Sequence, residues 1–182
     1  MSHATDILTH SRRYFDFADL ESNTIDIQDI AQGLSNVCRF GGQCPVFYSV
    51  AQHSVLVYRI LRDVLNVDDP VILKQGLLHD ATEAFLGDMV SPLKRRIPQY
   101  KAIEARLNDT IMYAFSLPWQ LSARVKEADL MALSIEQREL WGNADDWAVL
   151  EGVARAEWTL IPTTPFVARA QFMQTYTELF LR

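Results

Sequence analysis

The sequence predicts an all-α fold, organised as a single domain over residues 1–182. Nearly every segment with periodic apolar residues repeats about every 3.6 residues, which is the period of an α-helix. Residues that favour the start of a helix, namely Asp, Ser and Pro, precede several of these segments. The chain has no internal repeat, low-complexity run or Gly/Ser-rich linker that would mark a domain boundary. With 49% hydrophobic and 22% charged residues, its composition is typical of one globular domain with a sizeable core.

The first 24 residues form a polar or partly extended segment that departs from the helical pattern. Apolar residues are mixed with turn formers over residues 14–27, which predicts an extended pair or a loop. Residues 1–13 lack the apolar core of a signal peptide, and no stretch approaches the roughly 20 apolar residues that span a bilayer. We therefore expect a cytoplasmic protein.

The first two helices are predicted from their capping residues. Asp26 is a favourable N-cap, and the apolar positions after it predict a short helix to about residue 38, ended by Gly41 and Gly42. Ser49 begins a second helix, which extends to about residue 65 with one buried apolar stripe. His53 lies at the edge of that stripe, so we expect its imidazole to face the interior.

The third helix carries polar residues on an apolar face. It is predicted to begin at Pro70, which suits the first turn of a helix, and to continue to about residue 86. One line along this helix contains Ile72, Gly76, His79, Glu83 and Leu86. Burial of an imidazole and a carboxylate without partners is costly, so this face requires a metal ion or a hydrogen-bond network.

Four more helices complete the predicted fold. A short one starts at Ser91 and Pro92 and carries the basic residues 94–96. The longer ones are predicted over residues 98–115, 121–140 and 165–181. The apolar face of the first of these contains Ile103, Leu107, Ile111 and Phe115. One side of the second contains Val125, Asp129, Ala132 and Glu136.

A His-Asp pair and residues on two other helices predict a metal site. Adjacent helical residues point about 100° apart, so His79 and Asp80 can both lean toward one point, and Glu83 returns above them one turn later. His53 and Asp129 lie on other helices, and a helical bundle can direct such side chains to one interior point. Two imidazoles and two carboxylates suit Zn, Mn, Co or Fe better than Ca, which prefers oxygen ligands alone.

Such a site makes hydrolysis the first functional hypothesis. A divalent metal ion lowers the pKa of bound water toward neutrality and so supplies a nucleophile. Glu83 is placed to orient or deprotonate that water, or to protonate a leaving group. Lys126 lies three residues before Asp129 on the same helix face, so its ammonium can reach a substrate at the metal.

Each of these residues also has a purely structural interpretation. A single inward-facing histidine is more often a core residue than a ligand, and most carboxylates and basic runs are simply solvated. Asp129 could pair with Arg124 or Lys126, and Arg39 could pair with Asp29 or another acid. The metal site is favoured because the residues occur together.

Taken in order, His53, His79-Asp80 and Asp129 resemble the signature of the HD-domain metal-dependent phosphohydrolases. The resemblance covers about residues 25–139. Within that superfamily, the chain is most similar to small deoxynucleotide phosphohydrolases, namely bacterial 5′-deoxynucleotidases and phage-type dATP triphosphohydrolases. The matching segments are LSNVCRF at 34–40, FYSVAQH at 47–53, LLHDATEA at 77–84, GD at 87–88 and SPLK at 91–94.

The resemblance implies an HD-domain helical bundle that binds one divalent metal ion. Zn, Co or Mn is the implied ion, with Mg as an option alongside the substrate phosphates. The metal ligands implied by the matching positions are His53, His79, Asp80 and Asp129. Glu83 matches the catalytic carboxylate, and Asp88 matches an acidic residue near the attacking water and the sugar.

The resemblance also implies a set of substrate-binding residues. Arg39 matches a substrate-binding arginine, and Lys94 and Lys126 match positions whose ammonium groups hold phosphates. Phe40 and Pro92 fall where family members contact the base. The residue after the arginine is often Trp in the family, so Phe40 leaves the base preference open.

The function that the resemblance implies is hydrolysis of a deoxynucleotide, with metal-activated water attacking the α-phosphorus. A dNTP triphosphohydrolase that prefers dATP and a 5′-deoxynucleotidase are the leading forms, and the basic residues 94–96 favour more than one phosphate. One alternative is a phosphodiesterase of a cyclic nucleotide or alarmone, which would want a second metal and further His ligands. The chain has only four His. Another alternative is a regulatory module that binds nucleotide without turnover.

Charge narrows the choice of partners. The formal net charge of −6 argues against a protein that coats nucleic acid, because such affinity depends on Lys and Arg neutralising phosphates. We expect a small nucleotide as substrate, with neither a nucleic-acid polymer nor a membrane as partner. A homo-oligomer is compatible with the sequence.

Overall fold

The structure is a computed structural model that describes residues 4–142 and 145–181. Within these ranges the chain is mostly helical, which agrees with an all-α class. Two short strands near the N-terminus, β1 (Asp6–Leu8) and β2 (Tyr14–Asp16), pair antiparallel. The N-terminal segment is therefore partly extended where it is described, and residues 1–3 lie outside the described ranges.

Helices of very different length follow the strand pair. They are α1 (Ile27–Asn36), α2 (Val50–Arg59), α3 (Pro70–Leu78), α4 (Glu83–Leu86), α5 (Ser91–Lys94), α6 (Pro98–Ala114), α7 (Ala123–Trp141) and α8 (Pro165–Phe180). A π-helical turn over Ile60–Val64 continues α2. Within the described residues, every helix is too short or too polar to cross a membrane.

The predicted helix starts at Asp26 and Ser49 are confirmed by their hydrogen bonds. The Asp26 side chain accepts a hydrogen bond from the Gln28 backbone N–H at 2.9 Å. The Ser49 side chain accepts one from the Gln52 backbone N–H at 3.2 Å. Each bond satisfies an N–H group that the first turn of a helix leaves without an internal partner. Helix α1 ends at Asn36, so the prediction that Gly41 and Gly42 end it is wrong.

The predicted continuous helix from Pro70 to about residue 86 is also wrong. Helix α3 ends at Leu78, a tight turn covers residues 79–82, and α4 begins at Glu83. In this turn the Glu83 N–H donates to the Asp80 carbonyl at 2.9 Å, a three-residue spacing that replaces the α-helical one. The turn therefore lies at the His-Asp pair that the sequence singles out.

Two smaller differences concern α5 and α6. Val90, rather than Ser91, occupies the N-cap position of α5. On α6, Leu107 and Ile111 are fully buried as predicted, whereas Ile103 is 41% exposed. Ile103 therefore does not belong to the buried face of this helix.

Helix α2 lies at the centre of the molecule. It packs against α1, α3, α7 and α8, and it contributes to both buried apolar clusters of the protein. Eight of its ten residues are buried. Because α2 is surrounded on most sides, a polar side chain on it must find partners on the neighbouring helices.

Helices α1 and α4 approach closely at Gly33, and this contact predicts an effect of mutation. A Cβ atom at Gly33 would lie 2.5 Å from the Ala84 carbonyl oxygen. Overpacking of this kind costs about 1–3 kcal/mol, which is expected to outweigh the roughly 1 kcal/mol that Ala gains over Gly in a helix. We expect Gly33→Ala to lower the Tm in thermal unfolding by several degrees. The matched control on α1, Gln32→Ala, should change the Tm less, and an unchanged Tm for Gly33→Ala would contradict the prediction.

Candidate metal centre

Three side chains from α2 and from the turn after α3 bring their ligand atoms together. His53 lies in the middle of α2 and is fully buried, with its imidazole facing the interior as expected. Its Nε2 atom lies 3.2 Å from His79 Nε2. Asp80 Oδ2 lies 3.5 Å from His53 Nε2 and 3.3 Å from His79 Nε2. These ligand atoms all lie within 4.8 Å of one another, so the cluster could hold a metal ion.

Helix α7 adds Asp129 to the edge of this cluster. Asp129 Oδ1 lies 3.4 Å from His53 Nε2. The other carboxylate oxygen, Oδ2, accepts a hydrogen bond from Lys126 Nζ at 2.8 Å. The structure thus brings together the four residues that the sequence offers as ligands, and Asp129 already has one cationic partner.

Hydrogen bonds behind the two imidazoles orient them toward this point. His79 Nδ1 lies 2.9 Å from the Gly76 carbonyl oxygen, which can only accept, so His79 carries its proton on Nδ1. His53 Nδ1 lies 2.7 Å from the Glu136 carboxylate. Both Nε2 atoms therefore face each other and the Asp80 carboxylate. The lone pairs of two imidazole nitrogens and of carboxylate oxygens repel one another at such distances unless a proton or a cation lies between them. This set of ligand atoms therefore fits a divalent metal ion.

The charge balance of the metal-free cluster supports this interpretation. Burial and Arg39 oppose protonation of His53, but Glu136 and Asp129 raise the pKa of His53 to about 10. Burial opposes ionisation of Asp80, but His79 and His53 hold its pKa below the ordinary value. These carboxylates therefore favour a positive charge at this point, which a proton or a metal cation can supply.

Glu83 is a buried carboxyl group beside the cluster. Glu83 is the first residue of α4, one turn after His79 and Asp80, and it is 4% exposed. Glu83 Oε2 has no hydrogen-bond partner among the described residues. Burial, followed by the charges of Asp80 and Asp88, raises the pKa of Glu83 to about 9. The surroundings of the carboxyl therefore favour its protonated form.

Arg39 lies beside the cluster, where its guanidinium pairs with carboxylates of the protein itself. Its guanidinium is buried, and Nη2 donates to Glu136 Oε2 at 2.9 Å. Its Nη1 atom lies 3.6 Å from Asp80 Oδ2. The alternative pairing of Arg39 with Asp29 does not occur, because Asp29 accepts hydrogen bonds from Ser11 instead.

Phe40 begins the short helical turn that follows Arg39, and Asp88 contacts the same turn. The Arg39 guanidinium carbon lies 5.1 Å from the centre of the Phe40 ring. The Phe40 ring also contacts Trp141 edge to face, with ring centres 4.7 Å apart. Asp88 accepts a long hydrogen bond, 3.4 Å, from the Gly41 backbone N–H. Phe40 is therefore partly committed to packing on Trp141.

The two lysines that match phosphate-binding positions already have anionic partners. Lys94 Nζ lies 2.6 Å from Glu104 Oε1 on α6, and its charge acts on Glu83. Lys126 pairs with Asp129, and its side chain is about two thirds exposed. Pro92 is exposed on α5, and the described contacts do not connect it with the cluster.

Glu136 is a residue that the sequence did not single out as functional. It lies two turns after Asp129 on α7, is 0% exposed, and contacts both His53 and Arg39. Its position on the side of α7 shared with Val125 and Ala132 was visible in the sequence. A charged residue in such an apolar stripe is the signal that could have indicated its role.

The fold and the site define a mostly helical protein with a His-His-Asp cluster suited to a metal ion. No protein-family model matches the chain. It is 39% identical over 177 residues to "Uncharacterized protein YfdR" of Escherichia coli strain K12. The aligned region covers 95% of this chain and 94% of that protein. It is 36% identical over 143 residues to "Uncharacterized protein RCAP_rcc00048" of Rhodobacter capsulatus, covering 72% and 71% of the two chains. The chain belongs to the same family as YfdR.

Proposed function

We propose that this protein is a metal-dependent phosphohydrolase of the HD-domain type that hydrolyses small deoxynucleotides. The observation that carries the proposal is the convergence of His53, His79, Asp80 and Asp129 next to the buried carboxyl of Glu83. The motif resemblance adds the HD-domain class and the deoxynucleotide substrate. Neither follows from the geometry alone.

The ligand set has a defined chemical task in this proposal. His53, His79, Asp80 and Asp129 would hold one divalent cation, with Zn, Co or Mn suited to mixed nitrogen and oxygen donors. When bound, such a cation supplies Lewis acidity toward a phosphoryl oxygen and lowers the pKa of water. The buried hydrogen bonds behind His53 and His79 keep both Nε2 atoms directed inward.

Glu83 would act as the general acid and base of the reaction. Hydrolysis forms a bond between phosphorus and a water oxygen, breaks the bond between phosphorus and the leaving oxygen, and requires a proton on that oxygen. Burial and the charges of Asp80 and Asp88 raise the pKa of Glu83, and its Oε2 atom has no hydrogen-bond partner among the described residues. It is therefore suited to give this proton to the leaving oxygen and to recover one from the attacking water.

The ion pairs of the lysines bear on the number of phosphates. A triphosphate needs several counter-charges beyond the metal ion. Lys94 is held by Glu104 and Lys126 by Asp129, so neither ammonium is available without breaking an ion pair. The geometry therefore favours a deoxynucleoside monophosphate over a triphosphate as substrate.

The unpartnered carboxyl of Glu83 also favours catalysis over simple binding. A buried polar atom without a partner costs about 1–3 kcal/mol of stability. A module that only binds nucleotide has no need of such a group next to the cation. A catalytic role would explain why the protein retains this destabilising group.

A panel of nucleotides tests the proposed function. The metal-replete protein is incubated with deoxy- and ribonucleoside mono- and triphosphates and with cyclic nucleotides, and each product is identified by chromatography and phosphate assay. We expect release of inorganic phosphate from deoxynucleoside monophosphates. Release of triphosphate from dNTPs would retain the enzyme class and change the substrate, whereas no turnover of any compound would reject the proposal.

Substitution of Glu104 probes the role of Lys94 directly. Glu104→Gln removes the carboxylate that holds Lys94 at 2.6 Å, so the ammonium becomes available to additional phosphates. We expect kcat/KM for triphosphate relative to monophosphate to rise by about tenfold, which corresponds to roughly 1.4 kcal/mol. The double variant Lys94→Ala/Glu104→Gln should lose this rise. An unchanged ratio in Glu104→Gln would remove Lys94 from the substrate site.

A further inference from the structure

We infer that Glu136 is a positioning residue, which fixes the His53 ligand from behind and holds Arg39 in a shorter ion pair than the one Arg39 makes with Asp80. The inference rests on the proposed metal-dependent function. Glu136 is fully buried on α7, and it lies behind the metal ligands rather than among them. Its effect on the reaction would therefore pass through His53 and Arg39.

Both oxygens of the Glu136 carboxylate are used. Oε1 lies 2.7 Å from His53 Nδ1, and Oε2 accepts from Arg39 Nη2 at 2.9 Å. Tyr48, which is 1% exposed, lies nearby, and burial followed by the charge of Glu136 raises the pKa of its hydroxyl group. A buried carboxylate is stable only with such partners. These contacts fix the position of the carboxylate, and through it the plane of the His53 ring.

The contact with His53 determines which ring nitrogen faces the cluster. A carboxylate can only accept hydrogen bonds, so Glu136 retains the proton on Nδ1 and leaves Nε2 as the ligand atom. A carboxylate behind a ligating imidazole also raises the basicity of the ligating nitrogen. His79 has only the Gly76 carbonyl in the same position. Glu136 therefore makes His53 the more strongly directed of the two imidazoles.

The contact with Arg39 protects the Asp80 ligand. Arg39 Nη2 is 2.9 Å from Glu136, whereas Arg39 Nη1 is 3.6 Å from Asp80. Without Glu136, a buried guanidinium would have Asp80 as its nearest carboxylate and would compete with a cation for it. With Glu136 present, Arg39 makes its shorter ion pair with Glu136 and only a longer one with Asp80. Asp80 can then serve the metal ion.

A purely structural role for Glu136 makes different predictions. A buried ion pair contributes little net stability compared with apolar residues of similar size, although loss of one partner is costly. A structural ion pair would leave the tautomer of His53 and the affinity for metal unchanged in any variant that folds. Measurements on His53 and on metal binding therefore separate the two roles.

The state of His53 can be measured in the unaltered protein. The chain is labelled with ¹⁵N-histidine and loaded with Zn²⁺, and long-range ¹H–¹⁵N spectra report which ring nitrogen carries the proton. We expect a proton on His53 Nδ1 in a strong hydrogen bond and a Zn²⁺-bound Nε2. A His53 that is protonated on Nε2, or that binds Zn²⁺ through Nδ1, would overturn the inference without any variant.

Metal affinity of matched variants gives the second measurement. Glu136→Gln keeps the side-chain shape and removes the charge, and Glu127→Gln removes an exposed charge on the same helix. We expect the Zn²⁺ Kd from calorimetry to rise by about 10–100-fold in Glu136→Gln and to stay unchanged in Glu127→Gln, with circular dichroism confirming that both fold. Equal affinities would reject the positioning role alone, whereas an unaltered protein that binds no divalent ion would reject the proposed function as well.

Discussion

Replacement of Asp80 by Ala is expected to remove the bound metal ion and abolish hydrolysis. Asp80 Oδ2 lies within 3.5 Å of Nε2 of both His53 and His79, so it supplies the carboxylate between the two imidazoles. Residues that only support a metal ligand typically contribute 10–100-fold to affinity. Loss of the ligand itself should exceed that range, so we expect the Zn²⁺ Kd to rise by more than about 100-fold.

Metal analysis after dialysis, calorimetry and nucleotide turnover measure this effect together. Asp109→Ala on α6 serves as the control, because it removes an exposed carboxylate. Asp80→Asn preserves the side-chain size and distinguishes loss of the carboxylate from loss of packing. Full metal content together with full turnover in Asp80→Ala would remove this residue from the site and with it the proposed metal centre.

Local signals in the sequence are sufficient to predict the helical class and where several helices begin. The starts of α1 and α2 depend on Asp26 and Ser49, whose side chains bond to backbone groups two or three residues away. The apolar repeat after Ser49 predicts a helix, which the structure contains as α2 and the π-helical turn after it, although eight of the ten α2 residues are buried rather than one stripe. Such features involve only a few adjacent residues, and the structure confirms them.

The break between α3 and α4 is a feature that local pattern does not reveal. The apolar repeat continues through residues 79–82, so the sequence predicts an uninterrupted helix. Tertiary contacts override it: α1 packs against α4 at Gly33, and His79 and Asp80 face His53 on α2. The turn lets both side chains approach one point, and it results from contacts between elements distant in sequence.

The same limit applies to the surroundings of the candidate site. The residue types at 53, 79, 80 and 129 suggest metal ligands because imidazole and carboxylate groups are the usual donors. The partners of Glu136 are 83 and 97 residues away in the sequence, and the ion pair between Lys94 and Glu104 joins two helices. No periodicity shows such pairs. The sequence therefore predicts candidate ligands. It predicts neither the residues that hydrogen bond to these ligands nor the ion pairs of the nearby lysine side chains.

Replacement of Glu83 by Gln is expected to abolish turnover while metal binding and fold persist. Glu83 is not one of the four residues proposed as ligands, and its Oε2 atom has no hydrogen-bond partner among the described residues. General acid-base groups typically contribute about 10²–10⁴-fold to rate. We expect kcat to fall by at least about 100-fold, with unchanged Zn²⁺ stoichiometry. Glu157→Gln, on an exposed segment, should keep full activity. Retention of wild-type kcat in Glu83→Gln would eliminate the proton-transfer role.

In the absence of metal, the stability of Glu83→Gln relative to the unaltered protein should increase as the pH rises. The ordinary pKa of this carboxyl is 4.5, and burial with Asp80 and Asp88 raises it to about 9 in the folded protein. Between these values the unfolded chain releases a proton that the folded chain retains, so Glu83 destabilises the folded state increasingly as pH rises. Gln cannot titrate. The Tm of Glu83→Gln, measured without metal, should therefore rise relative to the unaltered protein from pH 5 toward pH 9. A difference that stays constant over this range would show that Glu83 is ionised in the folded state.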